Sequence, residues 1–253
     1  MISDASPDLM PGAEPWTSDG GSTGVLVIHG FTGNPSSMRP LAEAFAAAGF
    51  AVSLPLLPGH GTRVEDMVPT RWSDWSSAAE AAYEVLAGRC ERVVVAGLSM
   101  GGTLTLWLAA HHPEIRGIVL VNPLADGEEP GITGLVAALR ESTEPVVPGI
   151  GSDIALEGVV ESAYEMAPVE PLLSLHGALP DLRGRLADIL CPVLLLTSPQ
   201  DHVVAPASSD LVASSVKGPV ERVTLEKSFH VATLDHDAEL IEQRAVAFVA
   251  RIS

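Results

Sequence analysis

The stretch Arg92-Val93-Val94-Val95-Ala96-Gly97-Leu98-Ser99-Met100-Gly101-Gly102-Thr103-Leu104-Thr105-Leu106-Trp107-Leu108 decides how this chain folds. Arg92–Ala96 reads as a buried strand, and Gly102–Leu108 reads as a buried helix. Between them stands Gly97-Leu98-Ser99-Met100-Gly101, a G-x-S-x-G pattern. A strand that passes into a helix so abruptly strains the backbone of the serine. The residues two before and two after it then crowd one another, so glycine suits both positions. The serine side chain is pushed out alone above the sheet. Beside it lies a helix N-terminus, with free N–H groups and the positive end of the dipole. The bare pattern is common; the strand–turn–helix setting separates a nucleophile elbow from an ordinary glycine turn.

Outward from this elbow the chain alternates strand and helix. Strands are expected at Gly24–His29, Phe50–Leu54, Arg92–Ala96, Gly117–Val121, Pro192–Thr197 and Val220–Leu225. Their short runs of Val, Ile and Leu fit a parallel sheet covered on both faces. Helices are expected at Ser36–Ala48, Ser73–Ala87, Thr103–His111, Ala207–Val216 and Ala238–Arg251, with Ser36 or Ser37 capping the first. The first twenty residues, rich in Pro, Gly and Asp, supply at most one edge strand. Between Pro123 and Cys191 the alternation stops. No strand is evident there, and helical pieces fall near Ile132–Glu141, Val159–Met166 and Val169–Leu175. A connection that long inside an α/β domain is more often functional than idle. The expected organisation is therefore a core of residues 1–123 and 191–253, with a cap over the active site at 124–190.

The chain has 253 residues, 14 Lys+Arg against 32 Asp+Glu, and a formal net charge of −18. That balance argues against nucleic acid or an anionic membrane as partner. No run approaches the ~20 apolar residues that span a bilayer, so stable membrane insertion is not expected. Met1–Asp8 lacks the basic start and apolar centre of a signal peptide, and a cytoplasmic protein is the expectation. Two cysteines, Cys90 and Cys191, are too few for a disulfide scaffold and suit small buried thiols. No metal-ligand cluster is visible. His111 and His112 are neighbours on a helix and do not share a face.

An elbow serine needs a base, an acid to orient that base, and an oxyanion hole. In this architecture the partners follow in the order Ser, Asp/Glu, His. Asp201 lies just past the strand Pro192–Thr197, at the sheet end where open α/β sheets collect ligands. Its structural alternative is a turn or N-cap residue, and Asp126 is the rival acid. Among eight histidines, His230 alone occupies a loop after the last strand and before the final helix. His29 precedes Ser99, and His111, His112 and His176 fall in helices or the cap. His202 adjoins the acid, and His236 opens the last helix. The oxyanion hole is expected to take the N–H of Met100 and, from His29-Gly30-Phe31-Thr32-Gly33, the N–H of Phe31. His29 itself reads as structural.

Five pieces occur in one order: His29-Gly30-Phe31-Thr32-Gly33-Asn34, Pro58-Gly59-His60-Gly61, Gly97-Leu98-Ser99-Met100-Gly101-Gly102, Asp201-His202-Val203-Val204 and His230-Val231-Ala232-Thr233-Leu234-Asp235. Together they resemble the bacterial carboxylesterases and monoacylglycerol lipases of the α/β-hydrolase fold, from about Gly24 onward. The resemblance implies a mostly parallel sheet with helices on both faces and a small helical cap. It implies a Ser99–Asp201–His230 triad, with Phe31 and Met100 as oxyanion donors. Pro148–Asp153 and Tyr164-Glu165 resemble the cap of the monoacylglycerol lipases. By that likeness Ile150 lines the acyl or glycerol pocket and Glu161 hydrogen-bonds a polar head group. The loop around His29-Gly30-Phe31 departs from the H-G-G-G loop of other lipases.

The resulting expectation is a serine esterase, without cofactor, acting on short- to medium-chain acyl esters, with monoacylglycerols foremost. A serine at the elbow excludes haloalkane dehalogenases and epoxide hydrolases of this fold, which carry aspartate there. A thioesterase or carbon–carbon bond hydrolase stays open. A non-catalytic binding module should have lost a triad member, and none is lost. Apolar residues at Ile132, Leu135, Val136, Leu139, Val146, Val147, Ile150, Ile154 and Leu156 either face a lipidic substrate or glue the cap to the core. The same apolar surface would suit a homodimer.

Overall fold

A computed structural model describes residues 8–253; the stretch read above for signal-peptide features lies, but for Asp8, outside them. In chain order the strands are β1 (Trp16–Ser18), β2 (Thr23–Ile28), β3 (Ala51–Leu54), β4 (Arg92–Leu98), β5 (Gly117–Val121), β6 (Val146–Pro148), β7 (Met166–Pro168), β8 (Val193–Thr197) and β9 (Val220–Thr224). The helices are α1 (Arg39–Ala47), α2 (Val64–Met67), α3 (Trp72–Ala87), α4 (Met100–His111), α5 (Pro130–Glu141), α6 (Val169–Arg185), α7 (Ala207–Ser215) and α8 (Ala238–Ile252). Seven strands form one sheet in the order β1-β3-β2-β4-β5-β8-β9. All its pairings are parallel except that of the edge strand β1 with β3.

The central strands β2, β4, β5 and β8 are buried on both faces because they are apolar along nearly their whole length, whereas the edge strands β1 and β9 carry polar residues and are partly exposed. Leu26 and Ile28 of β2 and Val93 and Val95 of β4 point to one side, where α3, α4 and α7 contribute Trp75, Leu104 and Val212. Val25, Val27, Val94 and Ala96 point to the other, against Leu41 and Phe45 of α1 and Ile241 and Phe248 of α8. Alternating side chains thus feed two apolar layers, as a doubly covered parallel sheet requires. Helix α4 is buried on nearly every side, which explains why it carries no polar stripe.

Three expectations are corrected. The first helix is not capped by Ser36 or Ser37. The side chain of Asn34 accepts from the Ser36 N–H at 3.0 Å, opening a 3-10 turn at Pro35–Ser37 that leads into α1. No helix forms near Val159–Met166. The region between Pro123 and Cys191 also contains strands, since β6 and β7 pair antiparallel as a two-stranded sheet. Each is three residues long and ends in proline, too short to show a period. Cys90 and Cys191 are free and only half-buried. Among the described residues no helix is long and apolar enough to cross a membrane, and no cluster of His, Cys, Asp or Glu could hold a metal ion.

Candidate active site

The elbow between β4 and α4 puts Ser99 at φ 56° and ψ −120°, a left-handed conformation that costs a non-glycine residue roughly 1–3 kcal/mol. The crowding read from the sequence is present. A Cβ on Gly97 would stand 2.1 Å from the Gly101 carbonyl oxygen, and one on Gly101 would stand 2.2 Å from that of Ile28. The Ser99 N–H donates to the Val121 carbonyl at 3.1 Å, tying the elbow to β5. Its carbonyl accepts from Thr103 and Leu124.

Asp201 and His230 come together. The His230 Nδ1 lies 2.7 Å from Asp201 Oδ2, with the carboxylate side chain 2% exposed and the imidazole 8%. The other oxygen, Oδ1, accepts the N–H groups of Val203 and Val204, both at 2.8 Å. Those two bonds fix the carboxylate plane, so Oδ2 has one task, to receive Nδ1–H. The Nε2 of the ring is thereby left as the basic nitrogen. Ser99 and His230 line the same cavity, of about 180 Å³. The rival acid Asp126 is elsewhere engaged. It accepts from the Glu128 N–H and lies 3.9 Å from Arg183.

Phe31 and Met100 line this cavity too. Met100 is the first residue of α4, so its N–H has no acceptor within its own helix. Ile150, 66% exposed, and Glu161 line the cavity as well. Burial pushes the Glu161 carboxyl up to about 7, with the charge of His230 and the Ser37 hydroxyl holding it back. The apolar residues of the 124–190 segment divide between two roles. Ile132, Leu135, Val136 and Val147 line the cavity, whereas Ile154 packs on the core beside α8. Among the other histidines, His202 turns to Asp153 at 2.8 Å, His176 meets the Gly127 carbonyl at 3.0 Å, and His112 meets Glu80 at 2.6 Å.

Three residues that sequence reasoning did not single out hold the loops in place. Asn122, at the end of β5 with φ 43°, donates to the His230 carbonyl at 2.8 Å and accepts from the Ser198 N–H at 2.8 Å. It bridges the loop after β8 to the loop after β9. Asp153 accepts from the N–H groups of His202 and His230. Asp235 accepts four N–H groups, those of Ala155, Leu156, Phe229 and His236. An Asn directly after an apolar strand was the one available signal, because Asn tolerates positive φ.

Residues 25–243 match the model of the alpha/beta hydrolase family. A thermostable monoacylglycerol lipase of Bacillus sp. (strain H-257) is 44% identical over 246 residues, covering 96% of each chain. A carboxylesterase of Bacillus subtilis (strain 168) is 29% identical, over 94% of this chain and 97% of its own. Among solved structures, one from work on the metagenome-derived lipolytic enzymes LipS and LipT superposes with a TM-score of 0.91 at 43% identity. It covers 96% of this chain and 100% of that one. A seven-stranded sheet with an elbow serine, matched over nearly its whole length, places this chain in the alpha/beta hydrolase family.

Proposed function

We propose that this protein is a serine carboxylic-ester hydrolase acting on monoacylglycerols and related short- to medium-chain acyl esters. Ser99 is its nucleophile, His230 its general base and Asp201 the orienting acid. The observation that carries the reading is the 2.7 Å contact between His230 Nδ1 and a buried, doubly anchored Asp201, in a cavity that also holds a strained elbow serine. The 44% identical monoacylglycerol lipase supports the choice of substrate.

In this reaction Ser99 Oγ attacks the ester carbonyl carbon and gives its proton to His230 Nε2. The carbonyl π pair moves to oxygen, and the oxyanion accepts from the N–H groups of Phe31 and Met100. Asp201 keeps the tautomer and stabilises the imidazolium, which then protonates the departing alcohol. Water repeats the sequence on the acyl-enzyme, and the carboxylic acid leaves. The 124–190 segment acts as a cap. Its inward Ile132, Leu135, Val136 and Val147 take the acyl chain. Glu161 and Ile150 flank the alcohol side, where a carboxyl held near neutrality can accept from, or donate to, glycerol hydroxyls.

The test pairs Ser99→Ala with the parent enzyme on 1-monoacylglycerols, a diacylglycerol, p-nitrophenyl butyrate and an acyl-CoA. Ser99→Ala is expected to lose all but a residual ~10³-fold of the rate enhancement over water. Retained turnover in that variant would overturn the assignment. Faster turnover of acyl-CoA than of any oxygen ester would move the protein to the thioesterases.

A further inference from the structure

His29 follows the last residue of β2 and is fully buried. Its two ring nitrogens have different partners. The backbone N–H of Leu57 donates to Nε2 at 3.1 Å, so Nε2 is an acceptor and carries no proton. Nδ1 of the neutral ring must then hold the proton, and its neighbour at 3.0 Å is the carbonyl oxygen of Gly30. The hydrogen bond therefore runs from Nδ1–H to that carbonyl. Burial supports the neutral form by pushing the ring down to about 4.

The Gly30 carbonyl and the Phe31 N–H are the two ends of one peptide unit. No cis peptide bond occurs among the described residues. In a trans peptide the C=O and N–H point in opposite directions on a rigid plate. A ring that holds the carbonyl end thus aims the N–H end. Donation to the carbonyl also polarises the amide and strengthens its N–H as a donor. The plate lies against the nucleophile: a Cβ on Gly30 would sit 3.5 Å from Ser99 Cβ. Aromatic neighbours hold the assembly. The His60 ring meets that of His29 with centroids 5.0 Å apart, and Trp75 meets both Phe31 and His60 at 5.7 Å.

We propose that His29 is a positioning residue for ester hydrolysis: its Nδ1–H grips the Gly30 carbonyl and so directs the Phe31 N–H at the oxyanion. This rests on the reading above, in which Phe31 is an oxyanion donor. His29 does not touch substrate and acts only through that peptide.

Two substitutions separate this role from simple packing. His29→Asn places an amide N–H near the position of Nδ1 and keeps the grip on Gly30. His29→Gln reaches toward Leu57 and gives the grip up. Both lose ring volume, so a packing role predicts similar losses in the two. The aiming role predicts that H29Q loses about 10²-fold in kcat on p-nitrophenyl butyrate with KM unchanged, the size of one lost oxyanion donor. H29N should stay within about tenfold of the parent, since its donor remains. Affinity for a trifluoromethyl ketone, whose hemiketal oxyanion occupies the same hole, should fall in H29Q by the same factor as kcat/KM. An H29Q protein that is folded by circular dichroism and turns over like the parent would overturn the proposal. So would a loss of kcat without loss of ketone affinity. Should H29Q not fold, H29N decides: a folded H29N that has lost as much as ~10²-fold also overturns it. Ser99→Ala is run alongside, and turnover surviving there sinks the underlying esterase reading instead.

Discussion

At the scale of the residue, the acid of the proposed triad is held by its backbone partners more than by its histidine. Asp201 Oδ1 takes two N–H groups and Oδ2 takes one imidazole. Asp201→Asn must keep an oxygen toward the Val203 and Val204 N–H groups, because an amide NH2 there would face two donors. The NH2 then turns to His230 Nδ1 and selects the wrong tautomer. Expected is a loss of ~10⁴-fold in kcat with an unchanged far-UV spectrum, checked by steady-state turnover of p-nitrophenyl butyrate. Loop positions for Ser99, Asp201 and His230 are readable in the sequence because chain order and strand ends constrain them. Asn122, Asp153 and Asp235 are not. Their work is accepting or donating to backbone groups as distant as the 108 residues between Asn122 and His230, and no local pattern records such a pairing. His29 shows a subtler failure. Its buried position after a strand reads as structural, and only the direction of its two hydrogen bonds reveals a link to the Gly30–Phe31 peptide.

At the scale of the element, the central strands β4, β5 and β8 are legible because each carries an almost unbroken apolar run. Boundaries shift by a residue or two, as at β4, which extends through Leu98 into the elbow. What the residues cannot show is how the inserted segment is fastened. Asp235, 3% exposed, gathers the N–H groups of Ala155 and Leu156 from that segment together with Phe229 and His236 from the loop around His230. Asp153 reaches in the other direction, from the segment to the N–H of His230. The two carboxylates join one stretch of the insertion to the loop that carries His230, so displacement of one disturbs the other. Asp235→Ala strands four N–H groups and should cost on the order of 3 kcal/mol or more, each buried unpaired donor being worth about 1–3 kcal/mol. Urea denaturation measures that loss. Hydrogen exchange should quicken at Ala155, Leu156 and Phe229 together, while an effect confined to Phe229 would deny the linkage.

At the scale of the whole molecule, two buried histidines and one desolvated cavity carboxyl give stability an opposed dependence on pH. Burial holds His29 down to about 4, and burial with the nearby His29 holds His60 down to about 3. Unfolded, both rings would take up a proton near ~6.5. Their contribution is therefore complete above that pH and is lost progressively as pH falls toward 4 and below. At ~1.4 kcal/mol per unit, it is on the order of 3 kcal/mol for His29 alone, a large share of the ~5–15 kcal/mol of a typical domain. Glu161 runs the other way. Burial raises its carboxyl from 4.5 to about 7, so the stability it lends at low pH is lost as pH rises between those values. Two histidine slopes against one carboxylate slope make stability climb from pH 4.5 to about 6.5 and dip slightly beyond. Glu161→Gln copies the protonated carboxyl and removes the dip. Thermal melts of the variant should match the parent at pH ~3.5, below the 4.5 of the unfolded carboxyl, where the group is mostly neutral both folded and unfolded, and exceed it at pH 8. A gain equal at both pH values would mean that Glu161 is not held protonated by the fold. If monoglyceride KM also rises in the variant, the parent's lower stability at pH 8 is a cost of binding the alcohol, since sites that hold a poorly solvated charge commonly trade stability for function.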